Sequence, residues 1–281
     1  MQTENPDNAG LDGQNPDFRT IILAGERKGG NALSRAFKLS ASVMVQVAGK
    51  PSLERVMDAI NKSRYAEGGI ICGPAIDVLE SCKELQVLLQ QPGYQWLAPA
   101  TGPAASAFSA LQTLDHFPTL LTAGDHALLS ADIIDKFCAL AQSHSDDSGF
   151  DIIIGLVPYA LVQAAWPESK RTVLKFSNGH YCGSNLFAIL NPDGAKALSF
   201  WRQAEADRKH PWRIARRLGP IALLRYLFRR VTVEDALSGL SKAAGCRIGH
   251  VRLDIARAAV DVDSVADQKL AEEILLSEKP G

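Results

Sequence analysis

The chain has no surplus of either charge: thirty Lys and Arg face thirty-one Asp and Glu among 281 residues, a formal net charge of −1. The basic field that draws a protein onto nucleic acid is absent, and no nucleic-acid partner is expected. No apolar run approaches the roughly 18–20 residues that cross a bilayer. Met1–Pro16 is polar and lacks the charged-then-apolar order of a secretory signal. Cysteine is sparse: Cys72, Cys82, Cys138, Cys182 and Cys246 are dispersed, odd in number and without CxxC spacing. That set fits reduced thiols in a cytoplasmic protein better than a disulfide frame or a zinc site. The histidines show no metal-ligand pairing, and the spacing supports no Ser-His-Asp arrangement. What remains is an ordinary globular composition, 46% hydrophobic and 22% charged, with enough apolar residues for a sizeable core.

Residues 1–17, rich in Asn, Asp, Gly, Gln and Pro, read as a disordered leader, and 18–281 as a single domain. From Phe18 onward, short apolar runs alternate with helical patterns. Strands are expected at Thr20–Leu23, Gly69–Cys72, Gln95–Ala98, Pro118–Thr122 and Asp151–Val157. Helices are expected at Pro51–Ser63, Ala75–Leu88, Pro103–Leu114 and Ala131–Gln142. The alternation means βαβ units: an open, mostly parallel, Rossmann-like sheet sandwiched by helices. The second half is looser. Thr172–Phe176 and Tyr181–Leu190 flank Asn178-Gly179 as a hairpin, Ala195–Arg230 is a helical, basic insertion, and a helix covers Val231–Ala244. A strand at His250–Leu253 and a helix at Ser264–Leu276 complete the chain.

Four segments carry candidate chemistry. In Leu23-Ala24-Gly25-Glu26-Arg27-Lys28-Gly29-Gly30 a strand opens into a loop of three glycines and two cations, suited to backbone N–H contacts with an anion. It matches neither the GxxxxGK[ST] nor the GxGxxG spacing, and a plain strand-to-helix turn reads equally well. Lys50, in Val47-Ala48-Gly49-Lys50-Pro51, precedes a helix whose N-terminus already favours anions, so a lysine there serves a ligand or is simply exposed. Thr122-Ala123-Gly124-Asp125-His126 ends a strand, where open α/β sheets bind ligands. Asp125 is placed to hold Mg²⁺ against phosphate oxygens, or to cap the next helix. Asp261-Val262-Asp263 presents two carboxylates at i and i+2. Asp263 is also a natural N-cap for the last helix, which leaves Asp261 as the better metal ligand.

The order of these segments, with Gly102-Pro103-Ala104-Ala105-Ser106-Ala107 between them and "ADxxLAE" at the end, resembles the GT-A-type nucleotidyltransferases, in particular the MobA-like, molybdenum-cofactor nucleotidyltransferase-like group. The resemblance runs from about Phe18 to Leu276. It implies an NTP-binding half over about 18–150 and an acceptor-binding half over about 151–281. It implies an NTP over Leu23, Ala24, Gly25, Lys28, Gly29 and Gly30, with Gly102 and Ser106 beside base and ribose. Arg27, Lys50 and Asp125 would be catalytic, with Mg²⁺ held by Asp125 and by Asp261 or Asp263. A phosphate of the acceptor would attack the α-phosphorus and release pyrophosphate. Three positions depart from the pattern: the loop reads LAGERKGG with its Arg displaced, Ser42 stands where the group has a lysine (Lys38 is four residues earlier), and Ala127 replaces a proline.

The basic stretch includes Arg202, Arg208, Lys209, Arg213, Arg216, Arg217 and Arg225, interleaved with Trp201, Trp212 and Tyr226, against Glu205 and Asp207. It serves as a clamp for a phosphorylated small-molecule acceptor through Arg213 and Arg217, as a contact with an anionic membrane, or as a solvated face. Asn185 is a further acceptor candidate, or a buried satisfied amide. The expected activity is transfer of an NMP from an NTP to that acceptor. The rivals are a GT-A glycosyltransferase, whose DxD would fall nearer mid-domain, and a non-catalytic nucleotide binder. No oligomeric state follows from the sequence.

Overall fold

The computed structural model describes residues 17–26, 30–207 and 230–278. The expected leader over 1–16, Arg27, Lys28 and Gly29 of the glycine loop, and Arg213 and Arg217 with the rest of 208–229 lie outside the described residues. In chain order the strands are β1 (Phe18–Leu23), β2 (Gln46–Val47), β3 (Lys50–Pro51), β4 (Ala66–Cys72), β5 (Gln95–Leu97), β6 (Thr119–Ala123), β7 (Ile152–Pro158), β8 (Leu174–Phe176), β9 (Gly179–Ile189) and β10 (Ile248–Arg252). The helices are α1 (Ala32–Phe37), α2 (Ser52–Asn61), α3 (Ile76–Ser81), α4 (Lys83–Leu89), α5 (Pro103–Leu114), α6 (Ala131–Ser148), α7 (Tyr159–Ala165), α8 (Ala195–Ala206), α9 (Val233–Ala244) and α10 (Val265–Ser277).

Among the described residues one mixed, mostly parallel sheet runs in the order β10-β7-β9-β6-β1-β4-β5, with β8 paired to β9. β1 lies inside the sheet, between β6 and β4, because its sequence is apolar on both faces. Phe18 and Ile22 enter one core layer and Ile21 the other, all fully buried, as a central parallel strand requires. α2, α4 and α6 cover the first face through Leu53, Met57, Leu85, Ile133 and Phe137. α5, α8 and α9 contribute to the second layer through Ala107, Leu111, Leu198 and Leu237. α5 starts with Pro103 at its first turn and spans the residues its pattern predicts.

Three features depart from the expected pattern. The helix expected over Ala75–Leu88 is two helices, broken at Cys82, whose extended backbone (φ −119°, ψ 99°) separates α3 from α4. The late hairpin turns one residue earlier than Asn178-Gly179, because Phe176 pairs with Gly179. Its long arm, β9, does not stand apart: it inserts antiparallel between β6 and β7. Alternation along a strand reports which face is buried and is silent on which neighbours the strand will find.

Candidate active site

The parallel strands all deliver their carboxyl ends to one edge. The ladder continues one step past them: the Ala24 N–H donates to the Cys72 carbonyl at 2.9 Å, and the Gly124 N–H to Leu23 at 2.9 Å. Leu23, Ala24, Gly25, Gly124 and Asp125 therefore meet at the crevice where open α/β sheets bind ligands. Gly25 is exposed there, while Ala24 is buried.

After β1 the chain folds around its own carboxylate. Glu26 Oε1 accepts from the Asn31 N–H and the Ser34 hydroxyl, each at 2.7 Å, and Oε2 accepts from the Ser42 N–H at 2.8 Å. Asn31 caps α1 by accepting from the Ser34 N–H at 2.9 Å. Gly30 has φ +73°, and a Cβ there would come within 2.7 Å of the Ser34 hydroxyl oxygen, so glycine is required for the turn as built. Beside this turn a cleft of about 610 Å³ is lined by Glu26, Gly30, Ser34, Lys38, Pro74 and Ala75, among others.

The second arrangement centres on Asp125. The Val262 N–H donates to the Asp125 carbonyl at 3.0 Å, which brings Asp261 and Asp263 to either side of this contact. The Asp125 Oδ1 atom is buried with no hydrogen-bond partner. Burial first, then the charges of Asp261 and Asp263, push the Asp125 carboxyl up to about 7. Asp263 is exposed at the rim, yet partial burial of its carboxyl, then Asp261 and Asp267, raise its pKa against the pull of Arg171. Asp261 is gripped instead. Its Oδ1 accepts from Arg171 at 2.6 Å and its Oδ2 from the Asn185 amide at 3.0 Å. His126 is buried, and burial lowers its pKa to about 4, so a neutral imidazole underlies the cluster.

Of the two readings open for Asp263, N-cap or metal ligand, the cap is not the one built. The Ser264 hydroxyl caps α10, accepting from the Asp267 N–H at 3.2 Å, and Asp263 is left to the cluster. Asn185, expected near an acceptor, has its amide turned onto Asp261. Lys50 lies in β3, two residues before α2, and its ammonium contacts Asp58 at 2.6 Å and Glu54 at 3.3 Å on that helix. Those two hydrogen bonds, Asp58 first, raise its pKa. Gly102 is the N-cap residue of α5, and the Glu205 carboxylate from α8 sits against it, accepting from the Ala104 N–H at 3.1 Å. Ser106 is buried and its hydroxyl accepts from the Ala100 N–H at 2.9 Å, closing the loop ahead of α5.

Sequence reasoning missed Arg171, Glu205 and the role of Glu26. Arg171 and Glu205 act across the fold from ordinary-looking segments, and no local signal marks either. Glu26 was in view, flanked by glycine and two cations, but a carboxylate in an anion-cradling loop reads as incidental until its three donors are seen. Among the described residues, no group of three or more His, Cys, Asp and Glu side chains is gathered closely enough to hold a metal by itself. No helix among them is long and apolar enough to cross a membrane.

Residues 20–154 match the family model of the MobA-like NTP transferase domain. Among solved structures, a hypothetical transferase from Thermus thermophilus superposes with a TM-score of 0.71 at 22% identity, covering 91% of this chain and 100% of that one. The CMP:2-keto-3-deoxy-manno-octonic acid synthetase complexed with CTP gives 0.56 at 12% identity, with 93% and 100% covered. The 4-diphosphocytidyl-2C-methyl-D-erythritol synthase from Anaerococcus prevotii gives 0.54 at 13%, with 92% and 96% covered. At these identities the likeness establishes the fold. No curated protein matches the chain.

Proposed function

We propose, from the premise that residues 20–154 belong to the MobA-like NTP transferase domain family, that the chain is a Mg²⁺-dependent nucleotidyltransferase. It would transfer an NMP from an NTP to a phosphorylated small molecule. A phosphate oxygen of the acceptor attacks the α-phosphorus, the bond to the β-phosphate oxygen breaks, and pyrophosphate leaves. The observation that carries the reading is the buried, unpartnered Oδ1 of Asp125, set beside the charges of Asp261 and Asp263 at the ligand-binding edge of the sheet.

Hard oxygen donors of this kind suit Mg²⁺, which takes one or two protein carboxylates and completes its shell with water and substrate phosphates. The residues present fit that demand, since one or two of these carboxylates suffice when water and phosphate supply the rest. Asp125 would hold the ion with Asp261 and Asp263 alongside, and the bound ion would neutralise charge spreading over the phosphoryl oxygens. The chain's own part is placement. Glu26 fixes the chain after Gly25, whose exposed backbone would face the phosphates. Arg27 and Lys28 would add positive charge from the loop, whereas Lys50 is already paired on α2. Glu205 and Ser106 hold the start of α5, where base and ribose are proposed to lie.

A non-catalytic nucleotide binder is the second reading, favoured by the pairing of Lys50 with Asp58 and Glu54. One experiment separates the two. Each NTP is added with Mg²⁺ and a set of sugar, lipid-precursor and cofactor-precursor phosphates, and both the melting temperature and pyrophosphate are followed. Transfer predicts pyrophosphate with at least one pair. A rise in melting temperature with NTP, which follows from binding to the native state alone, but no pyrophosphate with any acceptor, supports the binder.

A further inference from the structure

Asp261 differs from the other carboxylates of the cluster. Asp125 keeps a buried oxygen without a partner and Asp263 stands at the exposed rim, but both side-chain oxygens of Asp261 are held by other side chains. The Arg171 side chain is only 6% exposed. Its Nη1 donates to Asp261 Oδ1 at 2.6 Å and to the Asp261 carbonyl at 3.1 Å, its Nη2 to Asp267 at 2.5 Å, and its Nε to the Ser169 hydroxyl at 3.1 Å. One planar guanidinium thus ties the segment after α7 to both Asp261 and the first turn of α10, a use for which lysine is no substitute.

The other half of the grip requires an irregular strand. The β7–β9 register shifts between Ile154 and Leu156, opposite Ser184, Asn185 and Leu186. The Ser184 hydroxyl donates to the Gly155 carbonyl at 2.9 Å, and Asn185 takes φ +53°, a left-handed conformation uncommon for a residue with a side chain. Bulges of this kind re-aim side chains beside functional sites. Here the re-aimed amide meets Asp261 Oδ2.

We infer that Arg171 and Asn185 are positioning residues that clamp Asp261 in place beside Asp125, an assignment that rests on the transferase reading above. Each oxygen of an ionised carboxylate has two lone-pair directions. Asp261 therefore spares one on each oxygen for a cation while the other is held from behind. Partners behind a ligand fix its orientation, and their removal typically costs about 10–100-fold in metal affinity. Arg171 also places a positive charge between Asp261 and Asp267, and so tempers the repulsion within the cluster.

The test is Mn²⁺ affinity, read from the loss of the free-ion electron paramagnetic resonance signal, in the 281-residue chain and in Arg171→Lys and Asn185→Gly. Glycine suits φ +53°, so Asn185→Gly removes the amide without disturbing the backbone, and it decides the matter alone if Arg171→Lys does not fold. Both variants are expected to bind Mn²⁺ about 10–100-fold more weakly. Introduced into Asp261→Ala, where nothing is left to clamp, Asn185→Gly is expected to change the affinity by less than about two-fold, as coupling through one residue demands. Wild-type affinity in both single variants would overturn the inference, as would an undiminished loss in the Asp261→Ala background. If the wild-type protein binds no Mn²⁺ whether an NTP is absent or present, the transferase reading of the site falls, and this inference with it.

Discussion

Glu26 and Asp125 come after neighbouring strands, β1 and β6, by only a few residues, yet their surroundings are opposite. Glu26 receives three donors from its own chain. Asp125 has a buried oxygen with none, and the carboxylates of Asp261 and Asp263 near it. A carboxylate satisfied in this way organises the ligand-free chain. One left buried and unpaired among like charges costs the ligand-free chain stability. On the reading proposed above, a cation bridging to phosphate would relieve that cost. On that reading the first region supplies shape and the second chemistry.

Substitutions that treat the two carboxylates alike should expose this difference. The largest effect is expected at Asp125: alanine there should abolish pyrophosphate release and leave the circular dichroism spectrum unchanged. Near-normal turnover would remove Asp125 from the site. Glu26→Ala should act on the fold instead. Leaving partly buried donors of Asn31, Ser34 and Ser42 unpaired should cost about 1–3 kcal/mol in urea denaturation. Equal stability to wild type would show that the loop does not depend on Glu26.

Asp151 offers a satisfied carboxylate far from the chemistry, and with it a pH test. Burial would raise its pKa, but the Arg247 N–H at 2.7 Å, the Asn191 amide at 3.0 Å and the Arg247 guanidinium outweigh that and hold it below the ordinary carboxylate range. A depressed folded-state pKa gives stability that is complete above the unfolded value of about 3.9 and is lost as pH falls through the folded value. The urea midpoint should therefore fall with acid below about pH 4, and Asp151→Asn should flatten that fall. An unchanged acid limb in the variant would refute the assignment. The smallest effect separates two neighbours: Ser264→Ala should cost about 1 kcal/mol as a lost cap, while Asp263→Ala should cost nothing in the absence of metal. Loss of stability in Asp263→Ala alone would restore it as the cap.

Much of the chain up to Val157 was legible because elements there declare themselves locally. TIIL, PTLLT and DIIIGLV are apolar runs bounded by turn residues, and Pro103 starts a helix at its fixed place. Asp125 was legible for the same reason, as a carboxylate at a strand end. The insertion of β9 between β6 and β7 was not, since strand pairing is decided by partners distant in sequence. The split at Cys82 escaped because neither glycine nor proline marks it. Asp261 was singled out, and Asn185 as an acceptor contact, but Arg171 and the hold of both on Asp261 become visible only when the sheet brings three segments together. Whether Asp263 is a cap stayed open in the sequence because Ser264, beside it, has equal capping chemistry, and it is Ser264 that stands in the position that counts.

The most direct measurement is the melting temperature of Asp125→Asn beside wild type at pH 8, with and without Mn²⁺. Asparagine keeps the shape and removes the charge that Asp261 and Asp263 oppose. Without metal the variant should melt above wild type, and Mn²⁺ should raise the melting temperature of wild type alone, by mass action on the native state. A variant that melts below wild type, with Mn²⁺ stabilising both proteins equally, would show that Asp125 serves the fold and not a cation.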